Sequence, residues 1–233
     1  MLPNHATMGW FVGAIFLMGC TSTIDIDPDQ AGGSYFPLVQ GMFRIYQVSS
    51  VTYNPDFSTD SSVFQLKEVV ADTFRTADNV LAMVLNRFVR QGSGNPWIPD
   101  SVWWTYKNLR LAVNVEGNQP YIKLSFPLKE NRIWDGNGLN GKSRDTYEMK
   151  NLGAPFEANG ITYDNTVTVF KNDLIDSLMI AQDDYRVEVY SKEVGLVYKK
   201  DIVRKYCSPE TCSSPSVESG ILFEQQLLQV GNE

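Results

Sequence analysis

The stretch that decides the fold is YRVEVYSKEVGLVYKK, residues 185–200. Tyr185, Val187 and Val189 alternate with Arg186, Glu188 and Tyr190. That is the period of two that a strand produces by sending successive side chains to opposite faces. Lys192 and Glu193 form a turn, and Gly195-Leu196-Val197-Tyr198-Lys199-Lys200 returns as the paired strand. Two strands joined by a short connection are the repeating unit of an antiparallel meander.

The same theme runs outward in both directions. Met42 to Val51 and Ser62 to Thr73 are rich in β formers with polar residues interleaved. Val80 to Arg90 has helical propensity, with Leu81, Leu85 and Phe88 on one side. It follows a turn at Thr76-Ala77-Asp78-Asn79, and Val84, Phe88 and Val89 suit a strand, so a strand is expected. Further strands are expected at Val102 to Tyr106, Leu109 to Val115, Tyr121 to Phe126, Arg144 to Met149, Thr166 to Phe170 and Ile221 to Val230. Gly92 to Pro96, Gly117 to Pro120 and Asp135 to Gly141 are turn-rich connections. Leu174 to Ile180 reads as a short helix. The expected fold is mostly β: an antiparallel meander of nine to twelve strands forming a curved sheet or partial barrel, with little helix.

The 233 residues carry 20 Lys and Arg against 27 Asp and Glu, for a formal charge of -7. No basic block of the kind that tracks a phosphate backbone is present, so a nucleic-acid partner is not expected. The N-terminal apolar run from Met8 to Met18 is too short to span a bilayer but has the length of a signal-peptide core. It ends in Leu17-Met18-Gly19-Cys20, which resembles a lipobox, the processing site of bacterial lipoproteins. The segment before it, MLPNHAT, lacks the usual positive charge. The resemblance implies cleavage before Cys20 and acylation of its thiol and new amine, and two or three chains anchor firmly to a bilayer. The expected organisation is a signal peptide at 1–19, a polar tether at 20–34 and one β-rich domain at 35–233. The expected address is the cell envelope, at the outer membrane, on a face the sequence does not specify.

In an oxidising compartment Cys207 and Cys212 can close a small disulfide loop. The alternatives are free thiols or half of a thiolate metal site. The last lacks a second Cys pair, and the only His, His5, lies before the cut.

Tyr35-Phe36-Pro37-Leu38, then Gly41 and Tyr46, together with Glu188-Val189-Tyr190-x-Lys192-x-Val194-Gly195-Leu196-Val197-Tyr198, resemble two signatures of a group of uncharacterised lipoproteins from Bacteroidetes. Phe126-Pro127-Leu128 with Trp134 resembles a third element. The resemblance covers most of Tyr35 to Val230 and implies no known activity. Phe43 stands where the group has Trp, and Glu193 where it has Gly, which implies a turn that needs no left-handed residue.

Loss of His5 removes the usual nucleophile–histidine arrangements, and no nucleophile elbow, P-loop or dinucleotide fingerprint is present. No cofactor and no metal site is expected. Asp135, Asp145, Glu148, Asp183, Asp184 and Glu188 are the carboxylates available for glycoside chemistry, and Trp97, Trp103, Trp104 and Trp134 are candidate stacking faces for a ligand. In Trp103-Trp104 one ring must point inward and one outward if both lie in a strand. The 135–141 loop departs from an EF-hand at its fifth, sixth and twelfth positions. Asp183-Asp184 reads as a solvated face. The inventory favours a non-catalytic binding or scaffold role, with an envelope protein, a glycan or a lipid as partner. The alternatives are a carrier of an apolar ligand, a carbohydrate-binding protein and a carboxylate-based glycoside hydrolase.

Overall fold

The computed structural model describes residues 31–174, 182–207, 212 and 216–233. Twelve strands form one antiparallel sheet. They are β1 (Met42–Tyr53), β2 (Thr59–Arg75), β3 (Leu81–Arg90), β4 (Ile98–Lys107), β5 (Leu111–Glu116), β6 (Gln119–Ser125), β7 (Ile133–Asp135), β8 (Thr146–Ala158), β9 (Ile161–Leu174), β10 (Gln182–Ser191), β11 (Gly195–Tyr206) and β12 (Val217–Asn232). The only helix among the described residues is a single 3-10 turn at Gly33–Tyr35.

The strand order is β6-β5-β4-β3-β2-β1-β12-β11-β10-β9-β8-β7. Two six-strand meanders are therefore joined where the last strand pairs with the first, Met42 opposite Asn232. Consecutive strands β6 and β7 end up at opposite edges, and the sheet curls until those edges meet. Ile122 N donates to Gly136 O at 2.9 Å, Trp134 Nε1 to Ile122 O at 3.0 Å, and Asn140 Nδ2 to Pro120 O at 2.8 Å. Near-closure satisfies backbone groups that an open edge would leave free. The largest apolar cluster crosses this seam, joining Ala112, Val113 and Leu124 to Trp134, Tyr147, Met149, Val167 and Val169.

Several boundaries differ from those read in the sequence, each for a local reason. The fifth strand starts at Leu111, not Leu109, because Asn108 Oδ1 accepts from Arg110 N and Leu111 N and closes a turn. Pro120 lies inside β6, on an edge where its missing N–H costs nothing. Strand β7 and the far half of β8 were not expected. The β8–β9 hairpin turns at Asn159-Gly160, with φ of 50° and 73°, the two left-handed residues of a tight hairpin. Glu193 has φ 65°, so the turn after β10 is left-handed there despite the absence of Gly. The fold also begins before Tyr35. Ala31 to Ser34 are buried, Leu128 N donates to Ala31 O at 3.0 Å, and a Cβ on Gly32 would sit 2.4 Å from Leu128 Cγ. Of the segment read as a helix, Leu174 ends β9, and the remainder lies outside the described residues. So does Cys20.

The β8–β9 hairpin folds over the outer face of the sheet. Phe156 packs against Tyr198 with the rings tilted and their centroids 5.2 Å apart, and Asn159 N donates to Gln226 Oε1 at 3.0 Å. This covers Val187 and Val189, which lie in one apolar cluster with Phe156 and Tyr163. Glu188 and Tyr190, on the alternate positions of β10, face the lumen. Cys207 and Cys212 are joined as a disulfide in the β11–β12 connection, with Cα atoms 6.1 Å apart.

Candidate functional site

Strand alternation directs a polar set of side chains into the lumen. Arg44 and Tyr46 of β1, Glu68 of β2, Arg87 of β3, Trp103 of β4, Asn114 and Glu116 of β5, and Lys123 of β6 enter from one meander. Glu188 and Tyr190 of β10, Lys199 of β11 and Gln225 of β12 enter from the other. Together they line a cavity of about 100 Å3.

Glu188 is the hub. It is 1% exposed. Its Oε1 receives Lys171 Nζ and, at 3.3 Å, Lys123 Nζ, and its Oε2 accepts from Tyr190 OH at 2.6 Å. Burial by itself would raise the Glu188 carboxyl, but the pull of Lys123, Lys171 and Lys199 outweighs it and holds the group well below the usual carboxylate range. Lys123 also pairs with Glu116 at 2.8 Å. Burial would lower Lys123, yet the two facing carboxylates raise it well above an ordinary lysine. For Lys171 burial wins and draws the group down to about 8. The two directions are compatible: several ammonium groups share one carboxylate, so Lys171 has less than a full counter-charge. At neutral pH the pair remains ionic. Burial, with the Glu188 charge adding to it, raises the Tyr190 phenol far above its ordinary value.

At the other end of the lumen Arg87 pairs with Glu68 at 3.1 Å and lies 3.6 Å over the Trp103 ring. Arg44, 7% exposed, is held by backbone carbonyls. Its Nε donates to Val194 O at 2.6 Å and its Nη2 to Pro37 O at 3.1 Å. Gly195 makes room for it: φ is +88°, and a Cβ there would stand 2.9 Å from Arg44 Nη2. The two signature segments of the sequence meet here. Tyr46 OH donates to Leu196 O at 3.3 Å, Glu193 N to Ser34 O at 2.8 Å, and the Phe36 and Tyr190 rings lie 6.2 Å apart.

The four tryptophans are not brought together. Trp103 lines the lumen. Trp104 points to the opposite face of β4, stacked with Tyr106 and edge-on to Phe74. Trp134 is buried in the seam, 5.8 Å from Tyr147, and Trp97 carries Arg90 at 4.1 Å. Of the carboxylates singled out in the sequence, Asp145 and Asp184 are brought together on Arg186, and the others have separate partners. Asp145 takes both Nη1 and Nη2 of Arg186 at 2.7 and 2.9 Å, and Asp184 takes its Nε. Glu148 pairs with Lys150. Asp135 Oδ1 accepts from Asn137 N and Asp145 N, fixing its own loop. Asp183 is not on a solvated face: it is 2% exposed and accepts from Arg204 Nε at 2.9 Å and Tyr206 OH at 2.8 Å.

Sequence reasoning named Glu188 but missed Lys123, Lys171, Arg44 and Arg87. Each is a charge set singly among β formers, as in Phe43-Arg44-Ile45 and Tyr121-Ile122-Lys123-Leu124. That pattern marks a polar face without saying whether the face points in or out. As built, the lumen holds fixed charge and offers hydrogen bonds. Hydrolysis of a glycoside needs a carboxyl kept protonated as general acid, whereas Glu116 and Glu188 are both held below the usual range. Nor is the lumen a continuous apolar surface of the kind that carries greasy ligands.

No family model and no curated protein matches the chain. Two solved structures are similar to it over 84% of its length and 98% of theirs. One is a Parabacteroides distasonis protein described as a lipoprotein, with 11% identity and a TM-score of 0.42. The other is a Bacteroides fragilis protein described as exported and having a YmcC-like fold, with 9% identity and a TM-score of 0.38.

Proposed function

We propose that this protein is an exported lipoprotein, anchored in the cell envelope through acylated Cys20, whose barrel binds or scaffolds rather than catalyses. Leu17-Met18-Gly19-Cys20, at the end of an apolar run, supports the anchor. The non-catalytic half rests on one observation: the buried lumenal carboxylate, Glu188, is tied into an ionic network that keeps it charged. The finer address in this reading is the outer membrane.

The test is metabolic labelling with a palmitate analogue in the native envelope, comparing wild type with Cys20→Ser. Wild type should take up label and sediment with outer-membrane vesicles. The variant should be unlabelled and accumulate as the longer precursor. A wild-type chain that keeps residue 1 and takes up no label would overturn the anchor. Release of reducing sugar from envelope glycans by purified protein, abolished in Glu188→Gln, would overturn the non-catalytic role.

A further inference from the structure

The described chain enters the barrel at one rim. Ala31 O accepts from Leu128 N at 3.0 Å, and Lys107 Nζ donates to Gly33 O at 2.8 Å. The β4–β5 turn and the β6–β7 loop flank this entry and touch each other, Phe126 N donating to Arg110 O at 2.7 Å. Cys20 lies eleven residues before Ala31, a span of at most about 40 Å even fully extended. A chain acylated at Cys20 therefore keeps this rim within that distance of the bilayer.

Three cations flank the entry. Arg110 and Lys129 are exposed and Arg132 is half-buried. None of them has a carboxylate within ion-pair distance among the described residues. Glu130, the one carboxylate in these two connections, has both oxygens on backbone N–H groups, those of Asn151 and Leu152. Two of the cations stand beside an aliphatic side chain that is more than half exposed, Leu109 before Arg110 and Ile133 after Arg132. That pairing suits a lipid headgroup layer, with aliphatic carbon toward the acyl boundary and the cation toward phosphate. On the opposite rim the turns before β2 and β4 pair exposed apolar residues with carboxylates instead. Phe57 follows Asp56, and Ile98 is two residues from Asp100.

We propose that the entry rim docks on an anionic phospholipid surface, with Arg110, Lys129 and Arg132 on the headgroups and Leu109 and Ile133 at the acyl boundary. This rests on the anchored reading above: the acyl chains hold the protein at the bilayer, and the docking selects the rim that faces it. Each cation at an anionic surface favours contact about fivefold, an effect that salt screens. Asp25, Asp27 and Asp29 of the tether are the competing charge.

The experiment reconstitutes the acylated protein, purified from the native envelope, into vesicles of phosphatidylcholine alone and of an equal mixture with phosphatidylglycerol. Flotation with the first reads the anchor by itself. Acetylation of Lys129 by an amine-reactive reagent, followed by peptide mass, reads the rim, with exposed Lys205 near the far end of β11 as the reference. The Lys129 rate relative to Lys205 should fall about fivefold or more in the mixed vesicles and recover at high salt. Arg110→Glu, which breaks no side-chain bond among the described residues, should return that rate to within about twofold of its value in phosphatidylcholine. Flotation with equal relative rates in the two lipids would overturn the docking and leave the anchor intact. So would a fall in rate that survives Arg110→Glu. A chain that does not float with phosphatidylcholine would overturn the anchor, and the docking with it.

Discussion

At the scale of single residues, the turn after β10 shows how a site is held by backbone conformation. Gly195 combines a left-handed φ of +88° with a close approach of the Arg44 guanidinium. Gly195→Ala meets both obstacles, and we expect a loss of about 1–3 kcal/mol, the left-handed penalty plus displacement of Arg44. Two residues earlier the situation is reversed. Glu193 adopts φ 65° with a side chain that gains nothing from it, so Glu193→Gly should stabilise by up to about 1 kcal/mol. Urea midpoints of the two variants, moving in opposite directions, are the check; a fall in Glu193→Gly would contradict this account. The left-handed residue was not legible in the sequence because Glu rarely pays for that conformation. Here Val194 N bonding to Ser191 O and Glu193 N bonding to Ser34 O hold the turn from both sides.

At the scale of elements, long strands rich in β formers were legible, and the choice of strand over helix for β3 follows from its turns. What the sequence hid was β7 and the outer half of β8–β9. Strand β7 has only three residues, Ile133–Asp135, too few for any periodicity to register. The far half of β8 is interrupted by Asn151 and Gly153, both at positive φ, which breaks the alternation ahead of the Asn159-Gly160 turn. Yet β7 closes the barrel. Trp134 Nε1 reaches Ile122 O across the seam, and its ring packs on Tyr147. Trp134→Phe keeps most of the ring but leaves a buried carbonyl unpaired, a cost of about 1–3 kcal/mol. Because β6 and β7 are sheet edges, the damage should be local. Amide exchange should quicken at Ile122 and its neighbours in β6 to β8 while β1 and β12, at the middle of the sheet, keep their protection. Acceleration spread evenly over all twelve strands would show that the seam is not a separable unit.

At the scale of the whole molecule, the lumen mixes buried charge with apolar packing, Val70 and Leu85 lining the same cavity as Lys123 and Glu188. The β10 alternation made clear that its faces differ, but the apolar one, Val187 and Val189, lies outside under the β8–β9 hairpin, and the charged one lines the lumen. No single segment encodes this, because the hairpin that covers Val187 comes from a different part of the chain. The consequence is a barrel whose stability depends on interior charge, and therefore on pH. Glu116 and Glu188 have folded-state pKa values below the ordinary 4.5. Between those values and 4.5 the unfolded chain binds more protons than the folded one, so the stability they contribute is complete above about pH 4.5 and drains away as pH falls. Buried Tyr46, Tyr147 and Tyr190 are raised above 10. They stay protonated in the fold while the unfolded chain loses protons, so stability falls again above pH 10. Lys171, drawn down to about 8 from 10.5, acts in the opposite sense between those values and partly offsets the onset of that loss. Urea midpoints from pH 3 to 11 should trace a plateau with an acid limb below about 4.5. Glu188→Gln removes the shared counter-charge of Lys123 and Lys171 and should cost about 3–5 kcal/mol at pH 7, while making the acid limb shallower. A variant that loses less than about 1 kcal/mol at pH 7, or that keeps the full acid limb, would mean that the lumenal network is not what couples this fold to protons.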